Sequence, residues 1–161
     1  MKRPLTNTFG FASNCFVCEP TNQHGLRIPF VHDDERDVVE ATITFDDCHS
    51  GAPQLVHGGL LALVCDEAMA WAAIALAGRF ALIAEARYAY ATPLPVGTET
   101  LVTARVIGQH RKQLWLMADV RCGDTVHARG EARARILSDE LATAAGVIAG
   151  AGGGLPSAPP T

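Results

Sequence analysis

The chain has 161 residues, of which 48% are hydrophobic and 19% are charged, and its formal net charge is −4. This length and composition predict one globular domain with an apolar core. The negative charge gives no general attraction to nucleic acid or to an anionic membrane, so neither is an expected partner. The five cysteines are scattered along the chain, and no signal-peptide pattern opens it. We therefore expect reduced thiols and a cytoplasmic protein.

Residues 1–23 are predicted to form an irregular N-terminal flap. The flap contains Cys15 and Cys18 in a C-x-x-C arrangement. Such a pair supplies half of a zinc site, but a structural site needs four ligands, and no second pair follows. We therefore expect the two cysteines to pack under the flap, with no metal ion and no cofactor bound.

Two strands are predicted before the centre of the chain. Residues 25–31 form a short apolar segment in which Pro29 indicates a sheet edge or a bulge. A charged turn follows at 32–37, and the β-branched, roughly alternating segment 38–45 predicts the second strand. Residues 46–56 show no periodicity and are predicted to be a loop.

The central segment opens with a His-Gly-Gly turn and continues with 18 residues, 60–77, that are apolar except for Asp66 and Glu67. Its content of Ala, Leu and Met predicts a helix, and Gly78 is a suitable residue to end it. Because apolar residues cover every face, the helix should be buried all round. Two adjacent carboxylates in such a helix are costly unless they are paired or functional.

Four strands joined by short turns are predicted after the helix, at 80–90, 98–108, 114–122 and 125–137. The last strand alternates charged and small residues, which predicts one solvent face and one packed face. A short helix is predicted at 139–145. The tail 146–161 is rich in Gly, Pro and Ala and is expected to be disordered. The folded domain is therefore expected to span 24–145.

This order of elements predicts an α+β domain in which an antiparallel sheet of about six strands wraps around one long buried helix. A single sheet covers only part of a helix that is apolar on every face. A second copy packing alongside would complete the burial, so we expect a homodimer at least.

The His-Gly-Gly turn and Asp66 suit two halves of one reaction. Glycines at a helix start let a ligand approach the backbone, where unpaired N–H groups and the helix dipole favour a carbonyl oxygen that gains negative charge. A carboxylate in an apolar wall can activate water or attack the carbonyl carbon itself. The combination predicts acyl transfer to water without a metal ion.

Helix geometry separates these two halves within one chain. His57 and Asp66 are nine residues apart and therefore face opposite ways. The rise from Gly59 to Asp66 is about 10.5 Å, which is too long for both to act on one small group. A shared site must therefore combine the turn of one subunit with Asp66 of the partner subunit.

These residues resemble a known family. A His-Gly-Gly turn followed by an acidic residue nine positions after the His, in a buried helix before an antiparallel sheet, is similar to the hotdog-fold acyl-CoA thioesterases. The closest branch is the phenylacetic-acid-pathway (PaaI-like) group, which segments 14–26 and 90–97 also resemble. The resemblance implies a hotdog fold. It also implies that the amides of Gly58 and Gly59 polarise the thioester carbonyl, while Asp66 of the partner subunit drives attack by water.

The resemblance also implies supporting roles and reveals two departures from the family. His57 would shape the loop, and Glu67 is a second candidate base. Many relatives carry Ser or Thr at the position of Ile83, where it helps to position water or the carboxylate. Some relatives carry a polar residue at the position of Gly51, and Gln54 lies close enough in sequence to substitute for it.

The expected substrate is a small to medium acyl-CoA, with coenzyme A as part of the substrate and no separate cofactor. Two alternatives remain open: a non-catalytic acyl-CoA-binding hotdog protein, and a hotdog hydratase or dehydratase acting on an enoyl-CoA. The assembly is expected to be a dimer or a dimer of dimers. Because coenzyme A is polyanionic, basic residues should line the mouth of the site. The candidates are His110, Arg111 and Lys112 at the predicted hairpin tip, and Arg129, Arg133 and Arg135 on the last strand.

Overall fold

The computed structural model describes residues 1–6 and 14–144. Its strands are β1 (Lys2–Pro4), β2 (Val31–Asp33), β3 (Val38–Thr44), β4 (Ser50–Ala52), β5 (Leu55–Val56), β6 (Ala81–Tyr90), β7 (Glu99–His110), β8 (Gln113–Cys122) and β9 (Thr125–Ile136). The helices are α1 (Gly58–Ala77), α2 (Asp139–Ala144) and a 3-10 turn at Asp47–His49. Seven strands form one antiparallel sheet in the order β1-β2-β3-β7-β8-β9-β6, and β4 pairs with β5 separately.

The helix α1 begins and ends at residues that suit its termini. His57 precedes it with extended backbone and caps it. Gly78 follows it in the left-handed region, at φ 59°, and donates its N–H to the carbonyl of Ile74 at 2.9 Å. Glycine adopts this conformation without steric cost. The predicted helix is confirmed, and it begins two residues earlier than expected because both glycines lie in its first turn.

One face of α1 packs against the sheet, and the small residues of β9 allow the contact. Ala128, Ala132 and Ala134 are buried there, as the alternation of that strand predicts. At Gly130 an added Cβ would lie 3.0 Å from the Met69 methyl group. Glycine at this position therefore allows the close approach of helix and sheet.

The other face of α1 is only partly covered within one chain. Eight of its residues are buried, but Leu76 is 42% exposed, and Leu60, Leu63 and Ile74 are only partly buried. The expectation that α1 is buried all round is therefore not met by a single copy. An apolar strip along the helix remains for another molecule to cover.

The predicted arrangement of an antiparallel sheet with one long helix against it is confirmed. The strand at 38–45 and the four strands after α1 are also confirmed to within a few residues. The sheet has seven strands instead of about six, because the three-residue strand β1 adds to one edge.

The prediction is wrong in the segment before β3. Residues 25–30 do not form a strand, because the N–H groups of Leu26 and Ile28 are donated to the flap carbonyls of Phe16 and Val17. The strand β2 lies instead at the start of the predicted charged turn. The predicted loop 46–56 contains the 3-10 turn and the β4–β5 pair. The predicted disordered tail 146–161 and part of the flap, 7–13, lie outside the described residues.

Candidate active site

The first turn of α1 is organised by His57. The ring Nδ1 of His57 accepts a hydrogen bond from the backbone N–H of Gly59 at 2.9 Å. The backbone N–H of His57 is donated to the carbonyl of His49, also at 2.9 Å. Among the residues that the structure describes, the N–H of Gly58 has no acceptor. Gly58 is therefore the residue of the His-Gly-Gly turn whose amide remains available to a ligand.

The residue at position 51 is limited to glycine by the neighbouring His57. A Cβ at this position would lie 2.8 Å from the Cα of His57 and 2.8 Å from its ring Cδ2. The chain has no room here for the polar side chain that some relatives carry. Gln54 is exposed and has a positive φ of 62°, and its carbonyl accepts the N–H of Val96 at 3.0 Å.

Asp66 is held from the sheet. Its Oδ1 accepts a hydrogen bond from the Tyr88 O–H at 2.7 Å. Burial and this hydrogen bond raise the pKa of Tyr88, so the phenol remains a proton donor at neutral pH. The carboxylate therefore has a fixed direction on an otherwise apolar helix.

Sequence reasoning missed Tyr88. A signal for it exists in the alternation of β6, since Tyr88 and Tyr90 share one face of that strand. This face meets α1, because the ring of Tyr90 lies 3.4 Å from the Cβ position of Gly58. A tyrosine that faces a helix carrying a carboxylate is a natural donor to it.

Glu67 points away from Asp66, since one residue turns a helix by about 100°. Its Oε1 lies 3.4 Å from the Sγ of Cys15, and the Sγ of Cys18 is also close. Burial raises the pKa of Glu67 to about 7. The two cysteines pack against the core, as expected, but the sequence did not indicate that they meet this carboxylate.

Ile83 is partly buried on β6, next to a register irregularity between Ile83 and Glu85. It provides no polar group at the position where many relatives carry Ser or Thr. The hydroxyl of Tyr88 supplies a polar contact to Asp66 from the same strand. β6 therefore provides a hydrogen-bond donor to Asp66 at Tyr88, five residues after Ile83.

The basic candidates occupy two environments. His110, Arg111 and Lys112 lie exposed at the β7–β8 turn. This tip is level with Leu82 in the sheet, with Arg135 of β9 between them. Leu82 in turn lies about 26 Å along β6 from Tyr90, which contacts the start of α1.

The arginines of β9 are partly engaged within the chain. Arg129 donates from Nε to Oδ1 of Asp119 at 2.7 Å, and Arg133 pairs with Glu85 at 3.2 Å. The described part of the chain contains no acidic partner for Arg135. Two of the three arginines therefore already have carboxylate partners.

Comparison with known proteins shows what the chain is similar to. Residues 54–128 match the family model of the thioesterase superfamily. A solved thioesterase-superfamily protein is 24% identical with a TM-score of 0.67. That match covers 73% of this chain but 60% of the other protein, so less than two thirds of its length is spanned. Comparison with curated protein sequences gives no significant match.

Other solved structures share the fold. A conserved protein from Pseudomonas aeruginosa is 26% identical, with a TM-score of 0.59 over 66% of this chain and 83% of its own. The PaaI protein from the phenylacetic acid degradation operon of E. coli is 19% identical, with a TM-score of 0.59 over 63% and 74%. An acyl-CoA hydrolase from Staphylococcus aureus, solved with butyryl coenzyme A, coenzyme A and coenzyme A disulfide, is 18% identical. Its TM-score is 0.62, over 66% of both chains.

The structural matches confirm the predicted hotdog fold, and the match of residues 54–128 to the thioesterase superfamily model agrees with the predicted resemblance. PaaI and a second phenylacetic-acid-degradation protein are among the structural neighbours, which confirms the predicted resemblance to the PaaI-like hotdog thioesterases.

Proposed function

We propose that the protein is an acyl-CoA thioesterase that hydrolyses the thioester of a small to medium acyl-CoA. The observation that carries the proposal is the carboxylate of Asp66, set in an apolar helix and held by the O–H of Tyr88 at 2.7 Å. A carboxylate in this position can take a proton from water or attack the thioester carbonyl. The match to the thioesterase superfamily supports the same reaction class.

The thioester oxygen gains negative charge as the nucleophile adds. We assign the N–H of Gly58 as its hydrogen-bond donor, because the N–H of Gly59 is already donated to His57. The positive end of the α1 dipole lies at the same place and stabilises the developing charge. This assignment narrows the pair of amides that the family resemblance implies.

Gly58 and Asp66 serve different sites in the proposal. Eight residues of helix separate them, a rise of about 12 Å, so one carbonyl group cannot reach both. Each site therefore combines the helix start of one copy with Asp66 of the partner subunit.

Two features of the chain favour a second copy. The ten-residue strand β6 lies at one end of the sheet and, among the described strands, pairs with β9 alone. A long edge strand of this kind is suited to antiparallel pairing with another chain. The partly exposed apolar strip of α1 is the second feature. The same partner subunit that pairs with β6 would also bury this strip.

Coenzyme A carries several negative charges, and the β7–β8 tip is the basic cluster that we assign to it. The tip is far from the helix start of its own chain, so it would serve a site built with another copy. Replacing both Arg111 and Lys112 with Glu should raise KM while leaving kcat nearly unchanged. At low ionic strength the charges are least screened, so the effect of the double variant on KM should be largest there. If its KM still equals that of the unaltered chain, the tip is not part of the binding site.

The substitution Gly58→Pro tests the oxyanion assignment. Gly58 is the first helical residue, where proline is well tolerated, and the extended backbone of His57 suits a following proline. Gly58→Pro therefore removes one N–H while it preserves the helix, and kcat should fall by about 10²–10³. Gly58→Ala keeps the N–H and is the control. Equal kcat values in the two variants would contradict the assignment.

Mixed dimers test the composite site. Gly58→Pro and Asp66→Asn subunits should each be nearly inactive alone. Mixing equal amounts should restore about a quarter of wild-type activity, because half of the dimers are mixed and each has one intact site of two. If subunits exchange, as mass spectrometry of the mixture would report, and no activity returns, both groups act within one chain.

A second candidate function is acyl-CoA binding without turnover. It is favoured by Ile83, which replaces a polar residue of many relatives, and by the engagement of the Gly59 N–H with His57. Calorimetric binding of acyl-CoA with no release of free thiol, across a panel of acyl chains, would support it. A hydratase would instead add water to an enoyl-CoA, which the loss of enoyl absorbance measures.

A further inference from the structure

The flap and α1 bring together three groups that the proposed hydrolysis does not use. The Sγ atoms of Cys15 and Cys18 and a carboxylate oxygen of Glu67 all lie within 4.8 Å of one another. Cys15 Sγ and Glu67 Oε1 are 3.4 Å apart. All three residues are partly buried, at the place where the flap crosses the helix.

The backbone around Cys15 holds its sulfur in place. The N–H of Val17 is donated to Cys15 Sγ at 3.4 Å. The side-chain amide of Asn22 donates to the carbonyls of Asn14 and Cys15, at 3.2 and 3.4 Å. The C-x-x-C turn is thus organised by local hydrogen bonds. A backbone N–H that donates to sulfur, as that of Val17 does to Cys15, stabilises a thiolate that acts as a metal ligand.

Glu67 has no cationic partner to offset the cost of its burial. Across the described ranges 1–6 and 14–144, no ion pair joins it to Lys, Arg or His. Glu67 accepts the weak S–H donor of Cys15 at 3.4 Å, whereas Asp66 accepts the O–H of Tyr88 at 2.7 Å. This partly buried carboxylate therefore lies beside two thiols without a positive charge from the described residues, and a metal ion would provide that charge.

We propose that Cys15, Cys18 and Glu67 bind one divalent cation of the zinc class, with water completing its coordination. Zinc bonds sulfur at about 2.3 Å and carboxylate oxygen at about 2.0 Å, so tetrahedral geometry separates its ligand atoms by about 3.5–3.8 Å. The observed 3.4 Å between Cys15 and Glu67 is close to that separation. The whole cluster, within 4.8 Å, needs to contract by about 1 Å at most.

The proposed site would fasten the flap to α1. Its carboxylate ligand is the neighbour of Asp66, so the metal would stabilise the turn of helix that carries the proposed catalytic group. Three protein ligands with water in the fourth position is the arrangement of open zinc sites, so the proposed site differs from the closed four-ligand structural site that the sequence does not provide. This inference does not depend on the proposed hydrolysis, because metal binding is measured without substrate.

A second group of potential ligands provides an internal control. Asp46, Cys48 and His49 also lie close together, but Cys48 and Asp46 are exposed. Asp46 and His49 already form the capping box of the 3-10 turn. We therefore expect no metal ion to bind there with comparable affinity.

Cobalt titration of the full chain, treated with a chelator and kept reduced, tests the proposal without any variant. One equivalent of Co²⁺ should produce sulfur-to-cobalt charge-transfer absorption and tetrahedral d–d bands. Zn²⁺ should then displace the cobalt and raise the melting temperature. Absence of the charge-transfer absorption, or a cobalt complex without tetrahedral bands, would overturn the proposal.

Variants then assign the ligands. Cys15→Ser and Cys18→Ser should each abolish the charge-transfer absorption or greatly weaken it, whereas Cys48→Ser should leave it unchanged. Glu67→Gln should lower affinity by about tenfold or more, since losing even an outer-shell partner costs 10–100-fold. Loss of the signal in Cys48→Ser alone, or its persistence in both flap variants, would assign the metal elsewhere. A Cys15–Cys18 disulfide that reductant does not open would also refute the site.

Discussion

Removing the hydroxyl of Tyr88 isolates the contact on which the proposed mechanism depends. Tyr88→Phe keeps the ring and deletes only the O–H that donates to Asp66 at 2.7 Å. Hydrogen bonds to charged groups contribute about 1.5–3 kcal/mol. Tyr88 is only partly buried, so the lower end of this range applies. Since about 1.36 kcal/mol corresponds to a factor of ten, kcat should fall roughly tenfold.

The assay is release of free coenzyme A from the best acyl-CoA substrate, followed with a thiol reagent. KM should change little, because the tyrosine acts on the carboxylate and not on the substrate. Tyr90→Phe is the matched control. It sits two residues away on the same face of β6, its ring contacts Gly58, and its hydroxyl forms no hydrogen bond to any residue in the described part of the chain.

Two results would refute this reasoning. If Tyr88→Phe and Tyr90→Phe lose the same activity, the effect belongs to the strand and not to the hydrogen bond. If kcat of Tyr88→Phe equals or exceeds that of the unaltered chain, Asp66 needs no donor to hold it. A melting temperature within a few degrees of wild type is required for either comparison, and a hydroxyl deletion in a partly buried site should satisfy it.

Three further substitutions test stability. Gly51→Ala should cost about 1–3 kcal/mol in the free energy of unfolding because its Cβ meets the backbone of His57, whereas Gly108→Ala, with nothing closer than 3.9 Å, should be nearly neutral; equal melting temperatures would contradict this. Burial alone would raise the pKa of Glu40, but hydrogen bonds from two cationic neighbours lower it. The ionised Glu40 therefore stabilises the fold fully above pH 4.5, which is the usual pKa of glutamate. This contribution is lost as the pH falls through the lower pKa that Glu40 has in the folded state. Glu40→Gln should accordingly be less stable at neutral pH, with a flatter acid limb in urea titrations. Trp71→Phe should lower the free energy of unfolding by less than about 1 kcal/mol, because the buried Nε1–H has no acceptor among the described residues and its removal offsets the lost ring area. A loss clearly above about 1 kcal/mol in chemical denaturation would contradict this.

Strong periodic patterns were predictable from the sequence, and weak ones were not. The helix and the four strands that follow it have long apolar or alternating segments bounded by Gly and Pro. The strand β2 escaped prediction because His32 and Asp33 look like a solvated turn but are buried. Arg36 forms an ion pair with Asp33, with 2.7 Å between Nε and Oδ2. The carboxylate of Asp34 lies 2.9 Å from the Nδ1 of His32. Charge alone therefore does not predict exposure when the partners lie a few residues away.

Asp66 was predictable because a carboxylate in an apolar helix is costly wherever the helix packs. Its partner was not, since Tyr88 lies 22 residues away and meets it only through the placement of β6. The same holds for Glu67 and Cys15, which are 52 residues apart. Long-range pairs of this kind depend on how elements pack, and a single sequence carries little information about that packing.

The absence of one methyl group at Gly130 has a consequence for how precisely the carboxylate is placed. An added Cβ there would lie 3.1 Å from the Cβ of Cys65 and 3.3 Å from the ring of Tyr88. The same point in the sheet therefore borders both the turn of helix that carries Asp66 and the tyrosine that donates to it. A larger residue would have to displace the helix turn, the tyrosine or both by a few tenths of an ångström, so glycine here leaves room for the 2.7 Å contact between Asp66 and Tyr88. Variation at this position should alter the geometry of the carboxylate before it alters the fold.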